Sequence, residues 1–311
     1  MYFPYLRGRQ YELLALRELV EYKLIGKNII PIVEPIKLSS TLIKTVELYL
    51  ENKMDLGIIH NPKVGSFYDD LEDEEKDNIK NNYINIMKDD LVIKSHILNK
   101  DSKFQIDELF SEGINTQELS IIGKERDDFN FYTSDIEDKK PQFILMPDVR
   151  SLKKTLKGNR VILEDKFNKK DRNVDYIDKD DEFFSDDHLD YKEEGYVGFS
   201  DYSVIGKDFS ESGFAPYAVA IHIVYFDKDK NLRIKHFVSD SNEDISNPAK
   251  KFYEALTKLA EWQEKKQLKT YGMKKFMEMY NNRSYPGLGI AKKLAIMHHI
   301  ELVNNYLDME E

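Results

Sequence analysis

"NIIPIVEPIKLSSTLIKTVELYLENKMDLGIIH", residues Asn28 to His60, decides the fold. "NIIPIVEP" is a short apolar run ending at Glu34. "SSTLIKTVELYLENKM" has apolar residues at helical spacing behind a serine cap at Ser39 or Ser40, and "LGIIH" is a second short apolar run. Strand, helix and strand within about 30 residues is a parallel crossover unit, because parallel neighbours need a connection that long.

The same alternation extends in both directions. Upstream, "RQYELLALRELVEYKLIGKN" carries Leu13, Leu16, Leu19, Val20 and Leu24 on one helical stripe and stops at Gly26. Downstream, strands are predicted at "LVIKSHIL" (91–98), "LSIIG" (119–123), "QFILMP" (142–147), "RVILE" (160–164), "VGFSDYS" (197–203) and "AVAIHIVYF" (218–226). Helical stretches such as "LEDEEKDNIKNNYINIMK", "FQIDELFSE" and "VRSLKKTLK" fall between them. Counted from "IIPIV", that makes eight short apolar strands, as expected of strands covered on both faces. The expected fold is α/β: a (β/α)8 TIM-barrel-like domain, with a doubly wound open sheet as the competitor.

"AVAIHIVYF", "DKDKN" and "LRIKHFVSD" read as a late hairpin, so the eighth strand should have an antiparallel partner. From Pro248 the pattern is three helices with apolar stripes, expected to pack on the barrel. The expected domains are residues 1–247, with an acidic insertion at about 165–194, and residues 248–311.

The chain has 311 residues, a net charge of −11 and no cysteine. Disulfides, thiolate metal sites and cysteine nucleophiles are therefore excluded. No signal-peptide core and no apolar run of about 18 residues occurs, so a soluble cytoplasmic protein without membrane contact is expected. Charge is uneven: Glu164–Glu194 holds 13 acids and 6 bases, Lys250–Tyr306 11 bases and 5 acids. The basic C-terminal helices could meet nucleic acid, a nucleotide or the chain's own acidic segment.

In a parallel barrel, working residues sit at the carboxyl ends of strands. Those ends carry Glu34, His60 with Asn61, Asp148, Glu164 with Asp165, Asp201 with Ser203, and His222. Alternation puts Val197, Phe199, Asp201 and Ser203 on one face of their strand, expected to face the cavity, with Tyr202 opposite. His222 is expected on the next strand, where Asp201 and His222 would form a catalytic pair beside Ser203. Glu34, Asp148, Asp165 and His60 offer ligands for a divalent metal such as Mg²⁺ or Mn²⁺. In "YPGLGIAKK", Gly287, Gly289, Lys292 and Lys293 open the last helix and could hold an anion. His236 and Asp240 follow the hairpin within reach of a barrel mouth. "DKDDEFFSDDHLD" reads as a solvated loop or lid, and in "AIMHHIEL" at most one histidine should point at the core.

Six segments together, "MYFPYLRGRQYELLALREL", "IIPIVEPI", "VGFSDYSVIG", "VAIHIVY", "KHFVSD" and "YPGLGIAKKLAIMHH", resemble the Beta protein family. That family is named for a satellite-phage protein and occurs in bacterial genomes and mobile elements. The resemblance spans nearly the whole chain. It implies a component of a multi-gene antiphage defence cassette, working with a protein partner encoded beside it. It implies no particular reaction and carries over no catalytic residue. Two functions follow as expectations: a metal-assisted phosphoester hydrolase at the barrel mouth, or a non-catalytic component that senses, restrains or scaffolds its partner.

Overall fold

The computed structural model describes residues 1–114, 118–210 and 216–310. Its strands are β1 (Tyr5–Leu6), β2 (Ile32–Val33), β3 (Leu56–Ile59), β4 (Val92–Ile97), β5 (Leu119–Ile122), β6 (Phe143–Met146), β7 (Arg160–Glu164), β8 (Asp181–Ser185), β9 (Gly198–Asp201), β10 (Ala220–Phe226) and β11 (Leu232–Val238). The helices are α1 (Gln10–Glu21), α2 (Ser40–Glu51), α3 (Phe67–Glu72), α4 (Asp77–Ile86), α5 (Ser102–Ser111), α6 (Ser134–Glu137), α7 (Arg150–Thr155), α8 (Asp187–Asp190), α9 (Pro248–Lys266), α10 (Tyr271–Asn282) and α11 (Leu288–Glu310). They form two compact units that interleave along the chain. The first holds Met1–Leu13, Gly26–Asp165 and Asp187–Tyr202; the second holds Leu14–Ile25, Lys166–Asp186 and everything from Ser203 on. The units do not follow a division at residue 247.

Unit 1 is the barrel. Eight parallel strands pair in the order β1-β2-β3-β4-β5-β6-β7-β9. Residues 1–3 close the ring: Tyr2 bridges Phe199 in parallel, and the Phe3 amide donates to the Phe199 carbonyl at 2.8 Å. The (β/α)8 expectation is thus met, but its membership shifts by one strand. The barrel begins with "MYFPYL", a segment that does not read as a strand locally because Pro4 lacks the N–H of an ordinary ladder residue. The run "AVAIHIVYF" is not the eighth strand.

The barrel interior is filled by one residue in two from each strand: Phe3 and Tyr5, Ile30 and Ile32, Ile59, Ile93 and Ile97, Ile122, Phe143 and Leu145, Val161 and Leu163, and Tyr202. Small residues make room for large ones. A Cβ on Gly57 would lie 2.4 Å from Ile32 Cδ1, and one on Gly198 would lie 2.6 Å from Phe3 Cε2. This alternation of size packs the interior as a core and leaves the carboxyl-end residues as its upper layer.

Unit 2 is an antiparallel sheet in the order β10-β11-β8, covered by the three C-terminal helices. α11 packs on β10, α9 lies across β10 and β11, and α10 sits against α9 and α11. The acidic stretch expected to be a solvated loop supplies β8 and α8 instead. Its acids are matched by bases on the neighbouring strand: Asp180 pairs with Lys235 and Asp181 with Arg233, each at 2.7 Å. Both histidines of "AIMHH" are buried, not one. His298 bonds to Thr270 Oγ1 and to the Val224 carbonyl, each at 2.6 Å, and His299 Nδ1 lies 3.0 Å from Ser203 Oγ. A helix enclosed on several sides has no single core stripe, so the 100° step between neighbours does not expose either one.

Candidate functional site

Interior parity settles what stands at the barrel mouth. The residues that continue the inward rows past the strand ends include Arg7, Glu34, Asn61, Lys124, Asp165 and Tyr202. Three of them, Arg7, Glu34 and Lys124, form one bonded cluster with Tyr5, and the Tyr202 ring packs against it. Glu34 is fully buried and accepts from the Tyr5 hydroxyl at 2.5 Å, the Lys63 backbone amide at 2.8 Å, Lys124 Nζ at 3.2 Å and the Arg7 guanidinium. Arg7 lies over the rings of Tyr5 and Tyr202 at 5.3 and 5.6 Å, and Lys124 Nζ over Tyr5 at 5.0 Å. Lys124 follows β5 and Glu34 follows β2, so this ion pair spans the mouth.

The loop that carries Lys124 is held locally. The backbone amides of Lys124 and Glu125 both donate to Asp128, at 2.8 and 2.9 Å. Behind them, a Cβ on Gly123 would lie 2.2 Å from the Phe129 ring, so the ring seats flat on the glycine. Lys124 therefore leaves a fixed backbone, and its side chain is 23% exposed where Glu34 is at 0%.

Electrostatics divide the cluster into a fixed and a titratable half. Burial by itself would raise the Glu34 pKa, but Lys124, Arg7, the Tyr5 hydroxyl and the Lys63 amide outweigh it and hold the carboxyl below its usual value. Burial lowers Lys124 to about 8; the Glu34 charge opposes that shift and Arg7 adds to it. Tyr5 is raised well above its ordinary value, first by burial and then by the Glu34 carboxylate, so it stays a donor. Near neutral pH the cluster thus contains a fixed carboxylate, a guanidinium and one amine close to its titration point.

The other expected site residues fall elsewhere. Asp201 points out of the barrel, not into it: it shares the face of Phe199, which packs on Tyr191 beside α8, and it accepts from the Tyr2 hydroxyl at 2.8 Å. Tyr202 is the inward residue. The expected parity is inverted, because in a strand buried on both faces alternation cannot distinguish the two. Asp201 belongs to unit 1, whereas its expected partner His222 belongs to the hairpin of unit 2 and bonds His236 there at 2.7 Å, Nδ1 to Nδ1. Ser203 is buried against His299.

The expected metal set is dispersed in the same way. His60 Nε2 lies 2.8 Å from His96 Nδ1, and burial lowers the His60 pKa to about 4. Asn61 extends the ladder past the strand end, exchanging two 2.8 Å bonds with the backbone of Ile97. Asp148 accepts from the Tyr196 hydroxyl at 2.8 Å and pairs with Lys153 at 2.7 Å. Glu164 pairs in register with Asp201 on the outward face, while Asp165 sits inward, where its charge acts on Tyr202. Among the described residues no three His, Asp or Glu side chains stand together as metal ligands. Glu34, the expected ligand that does stand at the centre of the mouth, already faces two cations that would repel a metal ion.

At the last helix, Gly287 takes the left-handed conformation (φ 99°) and Gly289 lies in the first turn of α11. Lys293 is buried in an ion pair with Glu18, whereas Lys292 is exposed. His236 reaches Glu182 at 3.4 Å and Asp240 pairs with Lys258 at 2.7 Å, both within unit 2. Sequence reasoning misses Arg7, Lys124, Tyr5 and Tyr202. Lys124 stands two residues past "LSII", so the strand-end rule reaches it once bases are counted beside acids and histidines.

Comparison with models of known families, with curated proteins and with solved structures finds no match for this chain. No helix among the described residues is long and apolar enough to cross a membrane.

Proposed function

We propose that the protein acts at the carboxyl-end mouth of its barrel, with Lys124 as the amine that exchanges a proton with a small anionic substrate. The observation that carries this reading is the position of Lys124: 3.2 Å from a buried carboxylate, partly open to solvent, and titrating near pH 8. A general acid–base is most effective when its pKa lies near the working pH, and desolvation is how a lysine is brought there. Within the cluster two basic groups, Arg7 and Lys124, meet the one carboxylate of Glu34, while Asp128 also acts on Lys124 and Asp165 on Tyr202. An anionic oxygen would thus be held by the Arg7 and Lys124 N–H groups rather than by an excess of positive charge. The setting we propose comes from the resemblance to the Beta protein family: a component of an antiphage defence cassette that works beside a partner protein.

A second reading is a non-catalytic cassette component. It is favoured by the way Glu34, Arg7 and Tyr5 already satisfy one another, as a structural plug would.

Competitive amine acylation over a pH series tests the proton-transfer reading without any substrate. The proposed amine should reach half-maximal reactivity near pH 8, while exposed lysines do so near about 10.4. Half-maximal reactivity at 10 or above would remove the proton-transfer reading. Stability supplies the same information with a definite sign. The folded pKa of Lys124 lies below the unfolded value, so between about pH 8 and 10 the unfolded state binds more protons and the contribution of Lys124 to stability should rise with pH. Lys124→Met should lack that rise. With the variant folded, phage protection by the cassette should be lost if the amine is functional and retained if the mouth is a plug.

A further inference from the structure

We infer that unit 2 carries its own binding site for a small aromatic anion of mononucleotide size, independent of the barrel mouth. A cavity of about 410 Å³ opens among Phe167, Tyr176, His222, Lys169, Lys170 and Lys292, within the range of roughly 300–1,000 Å³ usual for small-ligand pockets. Three lysines line it, and among the described residues no Asp or Glu does, in a chain where 57 acids outnumber 46 bases. Like charges gathered around one cavity raise one another's energy, and a bound anion relieves that. Lys170 is half-buried and forms no ion pair among the described residues. Lys292 is close enough to act on the His222 charge.

The rest of the lining suits a flat ring. The rings of Phe167 and Tyr176 lie 6.0 Å apart and 27° from parallel, and each packs on His222, at 5.1 and 4.7 Å. The remaining wall is largely aliphatic, including Val219, Ile221 and Ala295. A histidine relay adds one directional contact. His236 Nε2 faces the Glu182 carboxylate at 3.4 Å, so it carries the proton, and His236 Nδ1 then accepts from His222 Nδ1 at 2.7 Å. His222 Nε2 is left as an acceptor. It makes no hydrogen bond among the described residues, and His222 lines the cavity. An occupant with an anionic group for the lysines, a ring for the aromatic wall and an N–H or O–H donor for His222 meets all three features. A nucleoside monophosphate has each of them.

Titration calorimetry of the full chain with adenosine monophosphate, and separately with inorganic phosphate, tests this. The nucleotide should bind at submillimolar concentration and phosphate at least tenfold more weakly. Lys170→Ala should weaken the nucleotide about tenfold; its far-ultraviolet circular dichroism and melting temperature should match the parent, because that ammonium holds no ion pair among the described residues. Lys124→Met should leave the binding unchanged. Any one of three results would overturn the proposal: no heat at millimolar nucleotide, equal affinity for phosphate, or full affinity in the folded Lys170 variant.

Discussion

Replacing Glu34 by Gln should cost about 3–5 kcal/mol of folding stability, because it breaks a buried charge cluster and leaves its cations in place. The amide keeps the side-chain volume but offers one acceptor oxygen where the carboxylate uses two, Oε2 for the Tyr5 hydroxyl and Oε1 for the Lys63 backbone amide. One of those neutral bonds is therefore lost as well, which adds about 1 kcal/mol. What disappears is the carboxylate bonded to Arg7 and Lys124 together, with Arg7 just 6% exposed. Two basic groups, Arg7 and an amine whose pKa falls further without the Glu34 charge, would then face each other in a largely desolvated mouth. Adding Lys124→Met removes one of them and should recover part of the loss, which a double-mutant cycle in urea reads directly. The pH dependence also has a fixed sign. Glu34 is held below its unfolded value, so its stabilisation is present above about pH 4.3 and is lost as pH falls through the lower folded value. The gap between parent and variant should therefore close in acid. A variant within about 1 kcal/mol of the parent at pH 7 would show that the mouth is solvated and that the cluster does not hold the barrel end together.

Ending the chain after Asn247 should have a larger effect still, with unit 2 failing to fold. The truncation removes α9, α10 and α11, which cover β10 and β11. Ile221, Ile223, Val224, Ile234 and Phe237, all 3% exposed or less, would lose that cover. Trp262, the lone tryptophan, packs edge-on against Tyr225 at 5.1 Å and Phe237 at 5.4 Å, so the helices are seated by aromatic contacts as well as aliphatic ones. A three-stranded sheet without its hydrophobic cover is marginal in water and exposes a large apolar patch. The fragment should aggregate, and the amides of Ala220–Val238 should exchange fast. A soluble fragment with protected hairpin amides would show that β10, β11 and β8 are stable without the helices.

Several features of this protein are legible in its residues alone. The β/α alternation from Asn28 onward, the strand at "RVILE" and the hairpin around "DKDKN" all follow from local chemistry and occur at their expected places, and of the two serines that could cap α2 it is Ser39 that does so. Glu34 stands out as a strand-end residue too, but as a metal ligand among other acids, because the sequence shows no cation next to it. Arg7 and Lys124 are 27 and 90 residues away from it, and only closure of the ring brings them to one carboxylate.

The stretch "VGFSDYS" marks the limit most clearly. Its period of two separates Phe199 and Asp201 from Ser200 and Tyr202 whatever the fold, and that much the residues determine by themselves. Which set faces the barrel axis is not local, because both faces of the strand are buried and both sets are mixed polar and apolar. Tyr202 turns inward because Tyr5, whose ring centroid lies 4.8 Å from its own, shares the interior rows, and Asp201 turns outward to the Tyr2 hydroxyl. Likewise the hairpin strands look as apolar as barrel strands, since cover by helices demands the same residues in either sheet. Their assignment to the antiparallel sheet is decided by "MYFPYL", which closes the ring and leaves no edge for another strand to join.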